Sequence, residues 1–286
     1  MKNALTFDVE EYFHAEAFSR VLRPEEWPTL ESRVTRSTER LLDILDRDGV
    51  RATFFVLGWV AERHPALVRE IASLGHEIAC HGHGHRMIQH LTRKEFEQDV
   101  GQAKRALEDA TGRGVLGYRA PTFSIMRETL WSLDVLAEAG FRYDSSIFPV
   151  VHDRYGIPDA PRFPHRLKAP NGCEITEFPP STMLFMGRRL PVAGGGYFRL
   201  FPYRFTRRAI IRLNQRESQP AMVYLHPWEI DPDQPRLPVG PLTRFRHLVN
   251  VGRTEVRLRR LLSDFTFSSA ADVLAGAGLL VTGDTR

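Results

Sequence analysis

Lysine and cysteine are both scarce in this chain of 286 residues. Of 39 basic residues only Lys2, Lys94, Lys104 and Lys168 are lysines, and Cys80 and Cys173 are the two cysteines. Two cysteines exclude the disulfide framework of a small secreted domain and fit reduced thiols in a cytosolic protein. No apolar run approaches the roughly 20 residues that a membrane-spanning helix requires. A signal segment is missing too: Met1-Lys2-Asn3 leads directly into Ala4-Leu5-Thr6-Phe7-Asp8, which predicts a cytoplasmic protein. Internal repeats and low-complexity tracts are absent, so a solenoid or a disordered chain is not expected.

What is present is ordinary globular material, 42% hydrophobic and 26% charged, with a formal net charge of +4. The arginine excess has two readings, a compositional bias or a surface that meets anionic partners such as phosphorylated lipids or nucleotides. The densest basic run, Arg253-Thr254-Glu255-Val256-Arg257-Leu258-Arg259-Arg260, alternates with apolar residues and predicts an amphipathic helix with a solvated face. No stacking motif accompanies it, so no nucleic-acid partner is expected.

Short β-like runs alternate with helical patterns over the first two-thirds, a rhythm that breaks after Ser145. Strands are predicted at 4–7, 51–56, 76–80, 115–118 and 141–143. Helices are predicted around 34–45, over 65–74 with Pro65 at the start and Gly75 at the end, over 92–111 with Thr92 and Glu95 as a capping box, and over 127–139. This rhythm argues for parallel pairing and an α/β fold. Residues 149–202, rich in Pro and Gly, predict loops and short β pieces covering one end of the barrel. Helix returns at 203–216, a strand at 221–225, a helical C-terminal portion after 241, a last strand at 265–267, and a final helix capped by Ser269. A single domain is expected, a barrel over 1–231 with an extension over 232–286 packed on it.

Chemistry-bearing residues follow the predicted strands: Asp8 and Glu10 the first, His81, His83 and His85 the third, Arg119 the fourth, Asp144 the fifth and His226 a late one. In a parallel barrel the C-terminal strand ends converge on one face, so these residues would meet. An isolated histidine is usually a satisfied polar residue, but three at alternate positions after a strand suggest metal binding. His81 and His85 would share an ion if the backbone makes a helical turn, with His83 turned away to line the pocket. Catalytic sites commonly use three protein ligands, and a carboxylate from Asp8, Glu10 or Glu11 would complete the set. A second carboxylate would then accept a proton from water.

Five ordered segments are similar to the motifs of the NodB-like polysaccharide deacetylase family (carbohydrate esterase family 4 type). They are Thr6-Phe7-Asp8, the HxxxH segment Glu77 to His85, Arg119-Ala120-Pro121-Thr122-Phe123, Phe141 to Ser146, and Leu225-His226-Pro227-Trp228. Within the family, Asp8 to His14, Ser145 to Pro149 and Gly194 to Arg199 resemble the exopolysaccharide branch associated with exosortase (PEP-CTERM) systems. The resemblance implies a distorted (β/α) barrel with fewer than eight regular units, irregular β and loop insertions and a helical C-terminal extension. It implies removal of N-acetyl groups from a saccharide with a divalent metal, zinc foremost. It also implies roles: Asp8 as general base, His81 and His85 as metal ligands, Arg119 holding Asp8, a backbone N–H near Thr122 binding the oxyanion, Asp144 orienting His226, and His226 as general acid. Trp228 and Tyr197 are expected to contact the sugar. The family's second aspartate, a metal ligand, is here Val9, so Glu10 is the expected replacement and Glu11 a less favoured one.

Two alternatives accompany this reading. One is an allantoinase-like or cyclic-imide amidohydrolase. The other is a non-catalytic carbohydrate-binding or assembly protein, motivated by Val9. The expected partner is an N-acetylated saccharide, with peripheral contact to a lipid-linked substrate.

Overall fold

The computed structural model describes residues 1–192 and 194–281. Along the chain run β1 (Asn3–Val9), α1 (Val34–Arg47), β2 (Thr53–Val56), α2 (Gly58–Arg63), α3 (Pro65–Ser73), β3 (Glu77–Cys80), α4 (Arg93–Thr111), β4 (Gly117–Tyr118), α5 (Ser132–Glu138) and β5 (Tyr143–Asp144). There follow β6 (His165–Lys168), β7 (Glu174–Glu177), β8 (Thr182–Phe185), β9 (Arg188–Pro191), α6 (Gly195–Leu200), α7 (Tyr203–Gln215), β10 (Met222–Leu225), α8 (Pro241–Leu248), α9 (Val251–Asp264), β11 (Phe267–Ser268) and α10 (Ala270–Gly276).

The main sheet has the order β10-β1-β2-β3-β4-β5-β7-β6. Every neighbour up to β7 is parallel, and only β6 is antiparallel. This curled sheet with helices outside is the distorted (β/α) barrel. The seam between β7 and β10 is bridged by the segment around β8 and β9: Met222 N donates to Ser181 Oγ at 2.7 Å, and Gly194 forms a parallel bridge to Tyr224. Parallel sheets with helices on their faces need apolar residues on both sides. Accordingly, all seven residues of β1 are buried.

The helices follow the periodicity. Helix α4 buries Phe96, Val100, Ala103, Leu107 and Ala110, spaced by three and four, and Thr92 accepts from Glu95 N at its start. Helix α9 is the amphipathic basic helix, with Val251, Thr254, Leu258, Leu261 and Leu262 inward. The helix expected over 127–139 is split into a 3-10 turn at Arg127–Thr129 and α5. Thr129 Oγ1 accepts from Met126 N and donates to Ser124 O, local bonds that compete with a helical first turn.

Two segments depart from expectation. Strands β6 and β7 extend the main sheet instead of covering its end, while β8 and β9 form a separate hairpin. Strand β11 pairs with the start of β1, and α10 plugs the N-terminal end of the barrel. There Ala270, Val273 and Leu274 pack on Ala4, Phe55, Ala79, Tyr143 and Met222.

Candidate active site

Strand alternation selects which side chains reach the barrel interior. Leu5, Phe7 and Val9 belong to the core between sheet and helices, whereas Ala4 faces the interior and Asp8 and Glu10 line a cavity at the C-terminal strand ends. Val9 is therefore pointed at the helices by the pleat, and Glu10 is the next residue on the inward side. Glu11 is turned elsewhere. Its carboxylate accepts from Ser32 Oγ at 2.5 Å and from Arg33 N at 2.9 Å, just before α1.

Asp8, Glu10, His81, His85, Thr122 and His226 all line this cavity of about 180 Å³. Arg119 lies behind it with no solvent exposure. Its guanidinium donates to Asp8 Oδ1 at 2.6 Å, to Thr6 Oγ1 at 2.9 Å and to Ser145 Oγ at 2.9 Å, and it lies 4.0 Å over the Phe55 ring. Asp8 Oδ2 is left facing His226 Nε2 at 3.9 Å.

One ligand atom each from Glu10, His81 and His85 lie within 4.8 Å of one another. His81 Nδ1 is hydrogen-bonded to Arg119 O at 2.8 Å, which leaves Nε2 as the free donor atom, the arrangement typical of metal-bound imidazoles. Burial pushes His81 down to about 4, so it is neutral near pH 7, as a ligand must be. Glu10 is buried; Oε1 accepts from Trp228 Nε1 at 3.1 Å and Oε2 stands 2.7 Å from His85 Nε2. Burial pushes Glu10 up, but the charges of the neighbouring histidines, His85 foremost, outweigh it and hold the carboxyl well below its usual range. The Glu10 Oε2 atom has no hydrogen bond from a donor of good geometry. A buried carboxylate oxygen so placed, with two imidazoles beside it, fits a divalent ion.

The backbone that sets the two histidines is not a helical turn. Gly82 has φ 72° and His85 φ 49°, and Asp99 accepts from His83 N at 2.7 Å and Gly84 N at 3.1 Å. A Cβ at Gly82 would stand 2.9 Å from Asp99 Oδ2, so glycine is required there. His83 neither lines the cavity nor joins the histidine pair; its ring turns toward α2, with Nε2 3.1 Å from Glu62. Thr122 and Phe123 also have positive φ, 56° and 53°. Two consecutive non-glycine residues in that region, at the cavity wall, are the kind of backbone strain that collects at functional sites.

Residues 4–143 match the model of the polysaccharide deacetylase family, and residues 145–275 match a domain of unknown function, DUF3473. Residues 4–143 are thus similar to the polysaccharide deacetylase family. A chitooligosaccharide deacetylase of Sinorhizobium fredii is 34% identical over 99 residues, 35% of this chain and 44% of that protein. The chain spans less than half the length of the curated relatives it matches. Two crystal structures share the fold. A polysaccharide deacetylase candidate from Mycobacterium smegmatis superposes with a TM-score of 0.63 at 22% identity, over 99% of this chain and 93% of the other. An allantoinase superposes with a TM-score of 0.60 at 16% identity, over 97% and 91%.

The partner of His226 differs from expectation. Asp144 does not reach His226: it accepts from Ser146 Oγ at 2.5 Å and Ser146 N at 3.2 Å, deep behind the cavity beside Glu177. Glu229 takes its place. His226 Nδ1 lies 2.5 Å from Glu229 Oε1, and Glu229 Oε2 accepts from Arg199 Nε at 2.7 Å, all three largely enclosed. Burial pushes His226 down, but the Glu229 hydrogen bond and the charges of Glu10, Glu229 and Asp8 reverse this and lift it to about 9. The signal for Glu229 was its place three residues after His226 with Pro227 between, which forms a single 3-10 turn at Pro227–Ile230. Arg199 stood in the Gly194 to Arg199 segment without an assigned role.

Trp228 offers no open face for a sugar. Its ring lies between His226 at 4.9 Å and His247 at 4.4 Å, both near parallel, and its N–H is committed to Glu10. It acts on the cavity through Glu10. Tyr197 lines a larger outer cleft that opens beside the cavity and is not part of the inner wall.

Proposed function

We propose that the protein removes N-acetyl groups from a saccharide by hydrolysis, using a divalent metal, zinc foremost, held by Glu10, His81 and His85. One observation carries this reading. A carboxylate fixed by a buried arginine and an imidazole fixed by a buried carboxylate face each other across the same small cavity as three clustered ligand atoms. When bound, the metal supplies Lewis acidity toward the acyl oxygen and lowers the pKa of water.

The chain's own residues divide the remaining work. Arg119 holds Asp8 by one oxygen and leaves Oδ2 facing the cavity. Asp8 accepts the proton of the attacking water. The turn at Thr122 supplies backbone polarity to the oxyanion. An amine is a poor anionic leaving group, so His226, held protonated by Glu229, donates a proton to it. The narrower motifs Asp8 to His14, Ser145 to Pro149 and Gly194 to Arg199 support an exopolysaccharide or its lipid-linked precursor as the substrate class, met in the cytoplasm before export.

The test is acetate release from N-acetylated chito-oligosaccharides, run beside ring opening of allantoin and cyclic imides by the same metal-loaded protein. Acetate release without ring opening is expected. Ring opening without acetate release would overturn the proposal and favour the amidohydrolase alternative.

A further inference from the structure

The catalytic cavity, at about 180 Å³, is smaller than the roughly 300–1,000 Å³ of ordinary ligand sites. It has room for the acylated part of a substrate and little more. Directly beside it, sharing Thr122, Tyr155, Gly196, Tyr224 and Trp228, opens a cleft of about 1060 Å³. Its wall comes mostly from outside residues 4–143: the loop around Tyr155, helix α6 and helix α8. Tyr155 is braced there by stacking on His152 at 3.9 Å and Phe148 at 5.6 Å.

Three segments remote in sequence each place an exposed arginine on this cleft: Arg20, Arg154 and Arg246. Among the described residues, none of the three has a carboxylate within ion-pair distance. The fourth arginine of the wall, Arg199, is neutralised by Glu229. The wall also carries two carboxylates. Asp153, beside a His152 whose Nδ1 accepts from Arg154 N, and Glu16, which accepts from Ser19 Oγ at 2.9 Å, both carry negative charge, so the three arginines exceed them by one. The cleft, at about 1060 Å³, thus has volume for more than one sugar unit, a braced aromatic wall, and exposed arginines on three sides that outnumber its carboxylates.

Resting on the deacetylase reading, we infer that this cleft binds the run of the saccharide beyond the acetylated unit, and that this run carries negative charge as carboxylate or phosphate groups. Guanidinium pairs with either in a bidentate manner. A chain with acidic substituents would be drawn to the cleft and aligned so that its N-acetyl group enters the cavity.

Binding is measured by calorimetry with the full-length Asp8→Asn protein, so that turnover does not interfere. The probes are three oligosaccharides of equal length: a neutral N-acetylglucosamine tetramer, a tetramer alternating N-acetylglucosamine with glucuronate, and the neutral tetramer with a terminal phosphate. At low ionic strength, one or both anionic probes are expected to bind about tenfold more tightly than the neutral one, a difference of about 1.4 kcal/mol. Which of the two gains more separates carboxylate from phosphate recognition. The advantage should shrink in about 1 M salt, where charges are screened beyond about 3 Å. Arg20→Gln, Arg154→Gln and Arg246→Gln combined in the same protein should remove most of it, with a fall larger than any change for the neutral probe. All three sites are exposed, so folding is unaffected, which a melting curve checks.

Equal binding of neutral and anionic probes, or an advantage untouched by the triple substitution, overturns the inference. If the unmutated protein still releases acetate from the neutral tetramer, the deacetylase reading stands without it. If no probe binds and no acetate is released, both fall.

Discussion

Arg119 is the largest side chain with no contact to solvent, and Asp8 answers its charge across 2.6 Å inside the barrel. The same logic recurs on the opposite wall, where Arg199 secures Glu229 and Glu229 secures His226. Glu229→Gln keeps the shape and removes the charge that lifts His226. A general acid works only while protonated, so its pKa sets the alkaline limb of the rate profile, and a lowered pKa brings that limb to lower pH. The kcat/KM profile of Glu229→Gln should lose activity at lower pH than the unmutated protein does, and a limb that stays in place would remove Glu229 from this role. Trp228→Phe keeps the stacked ring but deletes the N–H to Glu10. Loss of such an outer partner typically weakens metal affinity by about 10–100-fold, which competition with a chromophoric chelator would measure. Unchanged affinity would show that Glu10 is oriented by other contacts. At this scale the sequence was informative where spacing is local. Asp8, Glu10, His81, His85, Arg119 and His226 could be named because each follows a recognisable strand. Asp144 was placed beside His226 by resemblance alone, and which carboxylate meets a histidine depends on the turn after β10, which no periodicity encodes.

Elements decide whether those residues stay in register. The barrel seam closes where Gly194 runs against Tyr224, and a Cβ on Gly194 would stand 2.1 Å from the Tyr224 ring. Tyr224 precedes His226 by two residues on the same inward face and is itself buried. Gly194→Ala should therefore overpack the seam at a cost of about 1–3 kcal/mol, and the strain should reach His226. A lower melting temperature together with reduced kcat is expected; a substitution neutral for both would show that the seam yields freely. The strand–helix alternation over the first half, the capped start of α4 and the amphipathic α9 were legible because apolar spacing and caps are local signals. Strands β6 and β7 were read only as covering pieces. Their membership in the main sheet rests on long-range pairing with β5, and strands of four residues carry too little pattern to announce a partner.

For the whole molecule, the site is assembled from both halves of the chain, since β1 and β10 are neighbours and lead to Asp8 and His226, the proposed base and acid. Behind them Asp144 and Glu177 are buried side by side without exposure. Burial and the Asp144 charge push Glu177 well above its usual value, and burial pushes Asp144 up as well. The folded pair holds a proton that the unfolded chain releases. Its contribution to stability is thus fully present below the ordinary carboxyl range near 4.5 and is lost as pH rises through the raised folded values. Glu177→Gln retains an oxygen for Ile147 N, 3.1 Å away in the unmutated protein, and removes the titration. Melting curves from pH 5 to about 8 should show a smaller loss of stability with rising pH than in the unmutated protein; parallel curves would mean that the pair does not hold the proton. The charge asymmetry of the outer cleft is likewise a property of the assembled molecule, because its arginines come from segments that composition alone could not unite. The most direct measurement of the central claim is acetate release from an N-acetylglucosamine oligomer by the unmutated protein and by Asp8→Asn, with metal content determined on the same samples. Release by the unmutated protein, a fall of roughly 10² or more in Asp8→Asn and equal metal content are expected. Equal rates in the two proteins, or a rate that falls only because metal is lost, would contradict a base at Asp8 acting beside a metal held by Glu10, His81 and His85.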